Sequence, residues 1–164
     1  MSTIIPNKLY LGNVLNVNRL QWLNQHNIQT IVCVARKDDV VIRPDILSSK
    51  TVHQFDLRDD DAQHLDFDPV VDLIVESLRH GGVLVNCAVG MSRSPAFVIA
   101  FLMKTQHLTL HDAFVAVKRA RPKINPNASF MRQLVEYEHN IGNQDKESRK
   151  GTGAKQLPLQ GYPL

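Results

Sequence analysis

The sequence predicts an α/β fold in which a central, mostly parallel sheet of about five strands is flanked by helices. Residues 30–35 (Thr-Ile-Val-Cys-Val-Ala) form an unbroken apolar run rich in β-branched side chains, the pattern of a strand buried on both faces. Further short runs of strand length, at 8–11, 52–57 and 83–85, alternate with longer segments of helical apolar spacing. The 164 residues are enough for one domain with one core. Ligands of such sheets bind where the strands end.

In chain order, Lys8-Leu9-Tyr10-Leu11 reads as the first strand, stopped by Gly12-Asn13. Asn18 is a candidate cap for a helix that puts Leu20 and Leu23 on one face and ends near His26-Asn27. Residues 36–44 are charged and contain proline, and read as a loop. The strand at 52–57 delivers its end into Arg58-Asp59-Asp60-Asp61. Asp68 followed by Pro69 marks a helix start, Val70, Val71, Leu73, Ile74 and Leu78 form its apolar face, and Gly81-Gly82 closes it. The helix opened by Pro95 is apolar nearly all round through Met103, so it is expected to be buried. Thr109 to Asp112 has the form of a capping box, with Ala113, Phe114, Val117 and Ala120 at helical spacing until Pro122. Asn127 is a candidate cap for the last helix, which carries Phe130, Leu134, Tyr137 and Ile141 and ends at Gly142. The expected division is a folded domain over 1–142 and a flexible polar tail over 143–164, with no internal repeat.

Hydrophobic residues make up 43% of the chain, and no run is long enough to span a bilayer. The start lacks the basic and apolar regions of a secretory signal, and neither terminus carries a lipidation motif. Two cysteines in a chain of this size read as reduced thiols, which points to a cytoplasmic, or also nuclear, location. Cys33, inside its strand, is expected to be a core residue. A formal charge of +3 is too mild to argue for nucleic acid, yet it is compatible with anionic substrates. The seven histidines show no ligand spacing with cysteines, so no metal is expected. Lys118-Arg119-Ala120-Arg121 reads as a solvated basic face, or one that approaches an anionic substrate.

The chemistry concentrates at residues 83–95, where an apolar strand runs into Asn86 and Cys87. Ala88, Val89, Gly90, Met91 and Ser92 form a short loop, followed by Arg93, Ser94 and the helix-opening Pro95. A loop that ends at a helix N-terminus is an anion cradle, because the first helical amides lack partners and the dipole is positive there. The same field, with Arg93 beside it, favours a thiolate at Cys87. A thiolate facing a guanidinium fork suits attack on phosphorus. Cys-x5-Arg alone is a weak signal; the preceding strand, Gly90, Ser94 and Pro95 make it specific.

In that full form the loop resembles the signature loop of the cysteine-dependent protein tyrosine phosphatases, and of their small, atypical dual-specificity branch in particular. The resemblance extends over residues 5–141. Pro6-Asn7-Lys8-Leu9-Tyr10-Leu11-Gly12 looks like the family's opening strand and residues 28–35 like its second. Arg121-Pro122-Lys123-Ile124-Asn125-Pro126-Asn127, with Phe130 and Gln133-Leu134, is similar to its closing motif. The resemblance implies a protein phosphatase that hydrolyses phosphotyrosine and phosphoserine/threonine through a phosphocysteine on Cys87, without cofactor or metal. Arg93 and the amides of 88–93 would bind the phosphoryl oxygens, and Ser94 would stabilise the sulfur as leaving group. An aspartate after the third strand would serve as general acid: the family's pattern selects Asp59, and a loop about two residues short leaves Asp60 and Asp61 open. Asn127 matches a position that braces the loop. The expected partners are phosphorylated proteins, with no membrane or nucleic acid, and a monomer is expected.

One departure concerns Asn86, which stands where the family has a histidine that hydrogen-bonds the loop and helps keep the cysteine acidic. Asparagine makes hydrogen bonds but carries no charge, so Cys87 is expected to titrate higher than in relatives. A module that captures phosphorylated partners without hydrolysis is therefore an alternative, opposed by the intact Cys87, Arg93 and Ser94. Phosphoinositide phosphatases, which often place lysines in this loop, and RNA 5′-triphosphatases share the chemistry. Uncharged Ala88, Val89 and Met91 argue against the first and the mild net charge against the second.

Overall fold

The computed structural model describes the backbone of residues 1–151 and the side chains of residues 1–143. Its five-stranded sheet has the order β1-β2-β5-β3-β4. The strands are β1 (Ser2–Ile5), β2 (Leu9–Gly12), β3 (Ile28–Val34), β4 (Thr51–Phe55) and β5 (Gly82–Asn86). β1 pairs antiparallel with β2 and all other neighbours are parallel, as the alternation of strand and helix patterns predicts. β5, the strand that leads to Cys87, is central, and all five of its residues are buried.

The helices are α1 (Val14–Val17), α2 (Leu20–Gln25), α3 (Pro44–Ser49), α4 (Phe67–Ser77), α5 (Arg93–Gln106), α6 (Leu110–Ala120) and α7 (Ala128–Gly151). α5 is the hub: it is buried from Arg93 through Met103 and packs against α4, α6, α7, β2, β3 and β5. That matches its all-round apolar sequence and sets the loop before it between two buried elements.

Several local expectations are corrected. β1, α1 and α3 are additional elements; each has only four to six residues, too few for periodicity to register. Asn18 does not cap α2, whose N-cap is Arg19. Its side chain instead donates to the Val41 carbonyl at 2.8 Å and accepts the Arg43 amide at 2.9 Å, fastening the segment before α3. Asp68 does not cap α4 but lies in its first turn after Asp66, where it accepts from Lys104 Nζ at 2.8 Å and Tyr137 Oη at 2.7 Å. Thr109 caps α6, accepting the Asp112 amide at 3.1 Å. Gly142 does not end the last helix, which continues to Gly151. The rest of the expected tail, 152–164, lies outside the described residues.

Candidate active site

β5 ends at Asn86 and α5 begins at Arg93, so residues 87–92 must turn through a tight arc. Gly90 makes the turn with φ +71°; a Cβ there would collide with the Gly12 carbonyl oxygen and lie 2.7 Å from Arg121 Nη2. The carbonyls of the arc are engaged on its outside. Ala88 O accepts from Val14 N at 3.1 Å, and Met91 O accepts from Asn125 N at 2.7 Å. Arg121 serves the two between, Nη2 donating to Val89 O at 3.1 Å and Nε to Gly90 O at 2.6 Å. With the oxygens held outward, the amides of the arc are free to point inward. Ser92, the N-cap of α5, makes no side-chain cap bond, so the first amides of the helix add to the same concavity.

Cys87 lies at the floor, 1% exposed. Two donors converge on its Sγ, the Gly90 amide and Ser94 Oγ, each at 3.2 Å. Ser94 is fully enclosed. The concavity above has a volume of about 320 Å³ and is lined by Asp59, Cys87, Val89, Met91, Ser92, Arg93, Asn125 and Asn127. Val89 is half exposed at its rim.

Of the three candidate aspartates, the fold brings Asp59 to this rim. Its Oδ1 accepts from Ser92 Oγ at 2.6 Å and from Asn127 Nδ2 at 2.9 Å, and its Oδ2 lies 3.7 Å from Arg93 Nε. Asp60 is turned into its own loop, where Oδ1 accepts the amides of Ala62 and Gln63 and Oδ2 pairs with Arg58 at 3.2 Å. Asp61 offers its carbonyl to Ser129 Oγ. Asn127 both caps and braces: its Oδ1 accepts the Phe130 amide at 2.9 Å while its own amide donates to Ser92 Oγ at 3.1 Å.

Asn86, expected to support the loop, does not reach it. Fully buried, it points its Nδ2 at Cys33 Sγ on β3, 3.5 Å away, and its Oδ1 has no partner among the described residues. Cys33 is a core residue as expected, and burial pushes its thiol up to about 11, the Asn86 contact opposing this only in part.

Two supporting residues escape sequence reading. Arg121 is no solvated charge but is 5% exposed, sealed against the loop; the signal available was its place in the closing Arg-Pro motif. Asp39, one of several charges in an apparent loop, pairs with Arg93 at 2.7 Å. Nothing in the sequence distinguishes it from its neighbour Asp38. No group of three or more His, Cys, Asp or Glu among the described residues is arranged to hold a metal, and none of their helices is long and apolar enough to cross a membrane.

A family model described as the catalytic domain of dual specificity phosphatases matches residues 9–140. Dual specificity protein phosphatase 1 of Arabidopsis thaliana is 39% identical over 140 residues, 85% of this chain and 70% of that protein. Other curated relatives are longer; the chain spans 34% of human dual specificity protein phosphatase 5, at 31% identity over 137 residues and 81% of this chain. Among solved structures, that of the human tyrosine phosphatase-like serine/threonine/tyrosine-interacting protein superposes with a TM-score of 0.79 at 35% identity, covering 85% of this chain and 96% of that one.

Proposed function

Because this chain belongs to the dual specificity phosphatases, we propose that it hydrolyses phosphotyrosine and phosphoserine/threonine in proteins through a phosphocysteine on Cys87. The observation that carries the reading is the convergence of the Gly90 amide and Ser94 hydroxyl on one buried sulfur, inside an arc whose carbonyls from Ala88 to Met91 are each engaged by residues outside it. Cys87 Sγ attacks phosphorus and the ester P–O bond breaks. Asp59 gives its proton to the departing oxygen. The inward amides of 88–93 and the Arg93 fork hold the equatorial oxygens, where negative charge builds up. In the second step Asp59 takes a proton from water as that water attacks phosphorus, the P–S bond breaks, and Ser94 Oγ–H stabilises the sulfur that leaves. Residues 1–142 are the proposed catalytic unit and the proposed partners are phosphorylated proteins.

Capture without turnover has one observation in its favour. Asn86 is withdrawn from the loop towards Cys33, so the support expected at that position is missing. The intact Cys87, Arg93 and Ser94 weigh against it. Hydrolysis of a small aryl phosphate in EDTA by wild type and Cys87→Ser tests the reading, followed by phosphotyrosine and phosphothreonine peptides. Turnover lost in the variant is the expected result. An inactive wild type that still binds phosphopeptides would replace it with the capture module.

A further inference from the structure

Arg93 is held from behind. Its side chain is 6% exposed, and Nη1 donates to Asp39 Oδ2 at 2.7 Å and to the Leu57 carbonyl at 2.8 Å. Those two acceptors use both Nη1 protons. Nε, by contrast, is buried with no hydrogen-bond partner among the described residues; the Asp59 carboxylate faces it at 3.7 Å, beyond hydrogen-bond reach. A buried donor without a partner is costly, and here it sits on the edge of the guanidinium that pairs Nε with Nη2. That edge matches two oxygens of a tetrahedral oxyanion in the two-point manner of arginine.

Asp39 is itself well anchored. Its amide and that of Val40 donate to Arg36 O at 3.0 and 3.2 Å, making a turn after β3. Val40 and Ile42 are buried, Gln54 donates to Val40 O at 3.4 Å, and Asn18 clasps Val41 O and Arg43 N. A carboxylate on a segment fastened at this many points imposes an orientation on the arginine.

Resting on the phosphatase reading, we propose that Asp39 is a positioning residue. It fixes the rotation of the Arg93 guanidinium so that the Nε–Nη2 edge, and not Nη1, faces the phosphoryl group. Without it the guanidinium is restrained from behind only by the Leu57 carbonyl and turns about its last torsions. Oxyanion binding then loses its two-point geometry.

The test is calorimetric titration with tungstate, a tetrahedral oxyanion, using the full chain in a Cys87→Ser background so that turnover is irrelevant. Asp39→Asn is expected to weaken tungstate binding about tenfold, the scale of one hydrogen bond to a charged group. With Arg93→Lys, which has no fork to orient, adding Asp39→Asn should cost nothing further; a loss of the same size in both backgrounds would overturn the proposal. Unchanged or tighter binding in Asp39→Asn would also overturn it, the tighter case marking Asp39 as a competitor of the anion. If Asp39→Asn lowers the Tm, Asp39→Glu decides: affinity recovered by the restored carboxylate supports positioning, and an equal loss refutes it. In the Cys87-containing enzyme, Asp39→Asn should lower kcat on an aryl phosphate more than it raises KM. An inactive wild type whose tungstate affinity still depends on Asp39 would remove the phosphatase reading and leave the positioning role standing.

Discussion

Arg121 Nε donates to the Gly90 carbonyl at 2.6 Å, joining the residue after α6 to the tightest point of the loop before α5. Nη2 takes the Val89 carbonyl beside it. One buried cation therefore holds two successive carbonyls away from the cavity, which is a precondition for their neighbouring amides to face into it.

Arg121→Lys keeps the charge but not the fork, so one of the two carbonyls is left unpaired. We expect a loss of about 2 kcal/mol in denaturant unfolding, within the range for hydrogen bonds to charged groups. The accompanying fall in aryl phosphatase kcat should exceed that of Arg119→Lys, which lies outside this cluster.

Gly90→Ala places a Cβ against the Gly12 carbonyl in a backbone conformation that L-residues avoid. A destabilisation of about 1–3 kcal/mol is expected from the strain alone. Tungstate affinity should fall with it, because relief of the collision must open the arc. Wild-type stability in this variant would mean that the loop adopts another turn.

Asp59→Asn should lower kcat on phosphopeptides by about 10²–10⁴-fold, the usual span for loss of a general acid. The effect should be smaller on aryl phosphates whose leaving groups need little protonation. Asp60→Asn should act on stability instead, since Asp60 orders the turn at Ala62 and Gln63. The reverse pattern in a side-by-side assay would transfer the acid role to Asp60.

Burial holds the Cys33 thiol at about 11, above its ordinary value of 9.0. The folded state thus keeps a proton that the unfolded state releases. Its contribution to stability is complete below pH 9 and is lost as pH rises from about 9 to 11. That loss amounts to roughly 2–3 kcal/mol. Denaturant unfolding at pH 8 and pH 11 should show a larger decline for wild type than for Cys33→Ala. Native iodoacetamide labelling at pH 7 should incorporate one equivalent, and none in Cys87→Ser. Labelling of Cys33 under those conditions would contradict its burial.

The loop itself is legible in the chain because its parts are contiguous. Strand, Cys87, Gly90, Arg93 and Pro95 fall within thirteen consecutive residues of 83–95, and each states a local preference of its own. The core helix α5 is equally legible, since an all-round apolar run has only one place to go. Harder to read were residues whose role depends on a distant segment. Asn18 carries the same local signal for capping a helix as for clasping Val41 and Arg43, 23 and 25 residues on. Arg121 looks like its neighbours Lys118 and Arg119 until the loop 31 residues earlier is packed against it.

The sequence by itself determined the α/β alternation, the buried strand and helix on either side of Cys87, and a short list of three aspartates. Tertiary structure alone decided that Asp59 reaches the rim, that Asn86 turns to Cys33, and that Asp39 pairs with Arg93 and Arg121 with the loop carbonyls. Backbone preferences act over a few residues, so they are written where they act. A polar side chain satisfies the same donors with water or with a buried partner, and only the packing of remote segments chooses between them.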